Sequence, residues 1–182
     1  MTTLQRSSLA FPPLSDRDHV RGSLNATILL MEYGDFCSAQ SGQAYVTVKA
    51  LLQQLGDQIC LVFRYFPQVE HHPQALKAAA SAEAAASQNK FWEMHDLLFE
   101  HQAELEDWNL ADFAVQLGLD FSQFLKELSS HQHLQRIEGD RQTGQRYGVQ
   151  ETPTFFVGIR YQGAHNLQEL MVTILQAIQT YQ

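Results

Sequence analysis

Residues 32–45 read EYGDFCSAQSGQAY and come directly after the apolar run ATILLM. That order predicts a buried strand, a sharp turn and a helix, with the helix N-terminus free to serve a nucleophile or an anion. Cys37 stands in the turn, followed by Ser38 and Ser41. Ser38 is expected to cap the helix, which should run to about Leu55, because Tyr45, Val48, Leu52 and Leu55 recur at offsets of three and four. Gly56 and Asp57 stop it. QICLVFRYF then reads as a second strand, and its continuous apolar character suits a central position ending at Pro67.

Further along, residues 73–147 are helical in pattern almost throughout. ALKAAASAEAAAS is rich in strong helix formers, and KFWEMHDLLFEHQAEL puts Phe91, His95 and Leu98 on one stripe. Asn109 and Asp120 are predicted helix caps. The pattern then reverts: TPTFFVGIRYQG predicts a β-hairpin with Gly158 near its turn, and NLQELMVTILQAIQTY a last amphipathic helix. The order is β-α-β, a helical block, then β-β-α. It divides the chain into an N-terminal arm at 1–26, a core built from 27–72 and 148–182, and a helical insertion at 73–147.

Composition narrows the function. Across 182 residues, 45% apolar content is ample for a real core, and a net charge of −8 disfavours nucleic acid or an anionic membrane as the main partner. Two cysteines are too few for a disulfide scaffold or a cysteine-based metal site. The eight histidines lack ligand spacing, so no metal is expected. The first 22 residues lack the apolar core of a signal peptide, and no apolar run reaches the roughly 18 residues a spanning helix needs. These readings lead to an expected cytoplasmic location with reduced thiols.

The β-α-β, β-β-α order is the thioredoxin arrangement, and the chain resembles the DsbA class of disulfide oxidoreductases. The likeness rests on DHVRG, MEYGDF, GDQICLVFRYFP, HPQALKAAASAEAAASQNKFWEMHDLLFEHQ and YGVQETPTFFVGIRYQGAHNLQELMVTI, which cover nearly everything from Asp18 onward. It implies an α/β thioredoxin-like fold with a helical insertion. In that family a Cys-x-x-Cys pair follows YGDF after one further residue. Without a gap, Ser38 and Ser41 then stand at the redox positions, and both catalytic cysteines are replaced. A one-residue gap would instead make Cys37 the nucleophile. The resemblance further implies that Pro153 is a cis-proline which, with Thr152, offers backbone groups to an extended substrate.

Dithiol exchange needs one thiolate to attack and a second thiol to resolve, and serine does neither. The expectation is therefore a non-redox module, peptide-binding or chaperone-like, with a protein or extended peptide as partner and no cofactor. The alternative is a monothiol oxidoreductase that uses Cys37, with glutathione. Glu32 and Asp35 flank the turn as candidate proton-transfer neighbours. Cys60, inside the second strand, reads as core. Ser38 and Ser41 lack the G-x-S-x-G elbow of a serine hydrolase. The oligomeric state is open, a homodimer included.

Overall fold

The computed structural model describes residues 11–159 together with 172, 174 and 176. Four strands form one sheet among these residues: β1 (His19–Arg21), β2 (Ile28–Gly34), β3 (Ile59–Tyr65) and β4 (Thr154–Ile159), in the order β1-β3-β2-β4. β2 and β3 pair in parallel, whereas β1 runs antiparallel to β3 and β4 antiparallel to β2. The parallel pair is joined by α1 (Ala39–Leu55), as parallel strands require a crossover. This is a thioredoxin-like α/β fold with added helices.

Strand residues alternate between two faces. Ile28, Leu30, Ile59, Leu61 and Phe155 pack with Ala44, Val48, Leu51 and Leu55 of α1, and with Ile174. Leu29, Met31, Cys60, Val62 and Phe156 form the other core with Phe11, Leu14 and Val149. Both faces are covered, which is why β2 and β3 read as largely apolar runs, interrupted by Glu32 and Arg64.

The helical block lies between β3 and β4: α2 (Ala75–Ala86), α3 (Phe91–Glu100), α4 (Asp107–Gln116), α5 (Phe121–Ser130) and α6 (Leu134–Arg146). Its core joins Phe36, Phe63 and Tyr65 to Ala78, Ala82, Met94, Leu98 and Phe124. The alanines of α2 have no long side chains to separate it from its neighbours. α6 also lies close to the sheet: a Cβ on Gly144 would meet ring atoms of Phe66 and Tyr33 at 2.9 and 3.0 Å.

Several local expectations change. Within the N-terminal arm, His19–Arg21 adds a strand to β3. That edge is held by Arg64, which donates to both Asp18 carboxylate oxygens at 2.8 and 2.9 Å and to the Tyr33 hydroxyl at 3.0 Å. Asp120 caps α5 by accepting from the Gln123 amide. Asn109, however, lies inside α4, whose N-cap is Glu106. Gly158 is within β4 opposite Leu29, not at a turn. The second arm of the expected hairpin lies outside the described residues. Of the expected last helix, Val172, Ile174 and Gln176 are described, and all three are helical.

Candidate functional site

The turn after β2 is organised by one buried carboxylate. Asp35 Oδ1 accepts from the Cys37 amide at 2.8 Å, and Oδ2 accepts from the Gln68 amide at 3.0 Å. Oδ2 also lies 2.8 Å from His72 Nδ1. The same residue's carbonyl accepts from the Ser38 amide at 3.0 Å. One aspartate thus fixes the backbone just before α1 and ties it to the loop after β3.

Ser38 closes the helix end. Its hydroxyl accepts from the Ser41 amide at 3.3 Å, the usual bond of a cap. The same hydroxyl donates to the Thr152 carbonyl at 3.1 Å. The Ser41 hydroxyl in turn accepts from the Asp35 amide at 3.4 Å. The Thr152–Pro153 bond is cis, and both residues are buried. Thr152 Oγ1 donates to Gln68 Oε1 at 3.2 Å, so Gln68 links the proline loop to the loop held by Asp35.

Cys37 is half-buried and free, and lines a cleft of about 240 Å³ together with His71, His72, Pro73 and Gln102. Burial, and then the Asp35 charge beside it, push its thiol up to about 12, so the resting group is a protonated thiol. Glu32 lies inside β2. Burial pushes its carboxyl up to about 8, and its Oε1 has no hydrogen-bond partner.

The fold brings Asp35, Cys37, Ser38, Ser41, Thr152 and Pro153 to one end of the sheet. Glu32 is buried in the strand that leads to them. Arg64, opposite Tyr33 in the sheet, bonds to Asp18 and to the Tyr33 hydroxyl. Three residues that sequence reasoning did not bring to the site belong to its scaffold: Gln68, His72 and Gln102. Gln102 Nε2 donates to the carbonyls of Phe36 at 2.7 Å and Ser38 at 3.0 Å. A side chain on Gly42 would occupy the space of the Gln102 amide, so this glycine permits the clamp. The legible signals were that glycine and the polar segment PQVEHHP between strand and helix. Among the described residues, no group of three or more His, Cys, Asp or Glu side chains could hold a metal ion. No helix among them is long and apolar enough to cross a membrane.

A strand–turn–helix site beside a cis-proline loop defines a thioredoxin-fold protein, and comparison with known proteins agrees. A thioredoxin family model matches residues 14–177. The chain therefore belongs to the thioredoxin family. It is similar in structure to a thioredoxin-like oxidoreductase from Silicibacter pomeroyi, with a TM-score of 0.72 at 20% identity, covering 91% of this chain and 94% of that one. It is also similar to the thiol-disulfide exchange protein α-DsbA2 from Wolbachia pipientis, with a TM-score of 0.69 at 23% identity, covering 86% and 85%.

Among curated proteins, the chain is 41% identical over 170 residues to the Na(+)/H(+) antiporter NhaA 1 of Salinispora arenicola. The match covers 93% of this chain but 26% of that protein. The Na(+)/H(+) antiporter NhaA of Herminiimonas arsenicoxydans is 36% identical over 165 residues, covering 90% of this chain and 26% of its own length. The chain thus spans about a quarter of the length of these relatives.

Two expectations are corrected. The identification as a DsbA-class chain with both redox cysteines replaced by Ser38 and Ser41 does not stand, because the chain retains two cysteines, Cys37 and Cys60. Ser38 and Ser41 are defined by the bonds they make, a helix cap and an acceptor for the Asp35 amide. The two cysteines do not form a close Cys-x-x-Cys pair, one lying before α1 and the other in β3. The cytoplasmic location, inferred from a low cysteine count, is also overturned. Structural relatives of the DsbA type are periplasmic oxidoreductases, and thiol number alone does not report the compartment.

Proposed function

We propose that this chain is a non-redox, protein-binding member of the thioredoxin family, which holds an extended segment of a partner at the α1 end of the sheet. One observation carries the reading. The α1 N-terminus is closed by the Ser38 hydroxyl, bonded to Ser41 and Thr152, while the nearby Cys37 thiol is pushed up to about 12. Exchange chemistry requires a thiolate and, for turnover, a resolving thiol. One-thiol exchange through Cys37, with or without glutathione, would work against both burial and the Asp35 charge.

The relatives suggest the partner. Proteins named Na(+)/H(+) antiporters contain a segment like this chain in about a quarter of their length. The partner we assign is the remaining, antiporter-like part of such a protein, whether in the same chain or a separate one. The test has two arms. Purified chain should show no turnover in insulin reduction or dithiol oxidation. It should bind the detergent-solubilised remainder of the Salinispora arenicola relative, and Cys37→Ser should leave that binding unchanged. Turnover that disappears in Cys37→Ser would reverse the assignment.

A further inference from the structure

The cleft beside Cys37 has a neighbour. Pro73 lines it and also lines a second, larger cavity of about 550 Å³ enclosed by α2, α4, α5 and the start of α6. The lining of that cavity is largely apolar and includes Leu76 and Leu128, together with the buried Leu110 and Phe124. Its volume lies in the range of specific binding pockets. Leu125, 45% exposed, lines the cavity as well, and Trp108, which follows Asp107 at the start of α4, is 66% exposed.

The junction between the two parts is acidic. Glu106 lines the smaller cleft and Asp107 the larger cavity. Glu106 accepts a hydrogen bond from Asn109 at 3.2 Å and pairs with no cation among the described residues. Among the residues lining both parts, Lys77 is the single lysine or arginine; it pairs with Asp107 at 2.5 Å, with side chains 47% and 69% exposed. Solvent screens a pair this exposed, so an incoming cation can take a place beside Asp107 at little cost.

We infer that the two parts are one track, which seats a large apolar side chain of a partner segment in the α2–α4–α5 cavity and an adjacent arginine or lysine against Glu106 and Asp107. The inference rests on the protein-binding reading above and names the chemistry of the segment bound. An extended segment suits the track better than a compact ligand, because one end opens beside Cys37 and the other lies within the helical block. The apolar anchor supplies binding energy, and the acidic junction sets the charge of what can follow it. A segment with aspartate or glutamate beside its anchor would meet like charge and be rejected.

The test uses three fluorescein-labelled dodecapeptides on a Gly-Ser background, carrying Phe-Arg-Arg, Phe-Asp-Asp or Ala-Arg-Arg at the centre. Fluorescence anisotropy should show the Phe-Arg-Arg probe binding at least tenfold tighter than the other two. Leu125→Lys should remove the advantage of Phe over Ala. The double change of Glu106→Lys with Asp107→Lys should shift preference toward Phe-Asp-Asp. These positions are at least partly exposed, and circular dichroism confirms folding. The inference is overturned if the three probes bind alike, or if the preference survives in both variants. Binding of the antiporter remainder that these variants leave unchanged would sink the track while leaving the protein-binding reading intact.

Discussion

The Ser38 hydroxyl and the Thr152 carbonyl are joined by a 3.1 Å hydrogen bond across 114 residues of sequence. This bond links the start of α1 to the cis-proline loop, and the same oxygen caps the helix through Ser41. Ser38→Ala removes a cap, which costs about 1 kcal/mol, and leaves a buried carbonyl without its donor. The expected loss is roughly 2 kcal/mol, the sum of these two effects, read from the urea midpoint with an unchanged m value. Ser38→Thr, which keeps the hydroxyl, should recover most of it.

A second prediction concerns pH. Burial raises the Glu32 carboxyl to about 8 in the folded protein, against 4.5 for an ordinary glutamate. Its stabilising contribution is fully present below pH 4.5, declines as the unfolded chain ionises, and is lost by the time pH passes about 8. Glu32→Gln should flatten this slope and raise stability at pH 8 by a few kcal/mol, on the order of 1.4 kcal/mol for each pH unit that separates the folded and unfolded values. Thermal melts in acidic, neutral and mildly alkaline buffer check it. Equal pH slopes in wild type and Glu32→Gln would rule it out.

The ion pair between Arg64 and Asp18 is buried, with side chains 4% and 2% exposed. Arg64→Ala should cost about 3–5 kcal/mol, because it strands the Asp18 carboxylate. Changing both, Arg64→Ala with Asp18→Asn, should cost less than the sum of the two single changes. A double-mutant cycle in guanidinium chloride measures the difference, and additive losses would contradict the pairing.

How much of this could be read from sequence follows from what each residue must do. The strands β2 and β3 were legible because burial on both faces favours largely apolar runs, and α1 because Tyr45, Val48 and Leu55 repeat with helical period. β1 was hidden: three residues, His19 to Arg21, are too few to show a period, and Arg64 and Asp18 hold that edge by an ion pair formed only in the folded chain. The cap at Ser38 was visible locally. Its bond to Thr152 was not, nor was the meeting of Asp35 with Gln68 and His72, since these contacts span long sequence separations. The identification of Ser38 and Ser41 as replaced redox cysteines rested on register alone. The hydrogen bonds, rather than alignment to a motif, define what they do.

The Asp35 charge offers a sharper probe of the turn. Asp35→Asn removes one of the two causes that raise the Cys37 thiol, leaving burial as the other. Alkylation of Cys37 by iodoacetamide in mildly alkaline buffer should therefore speed up by several-fold. A rate unchanged or slowed would mean that the carboxylate does not bear on the thiol.

The rate of Cys37 alkylation against pH, with modification of Cys37 and Cys60 assigned by mass spectrometry, tests the non-redox assignment most directly. A thiol pushed up to about 12 should react at a rate that climbs steadily from about pH 6 through about pH 10 without levelling. A plateau reached below about pH 8 would reveal a thiolate poised for exchange and would contradict the non-redox assignment.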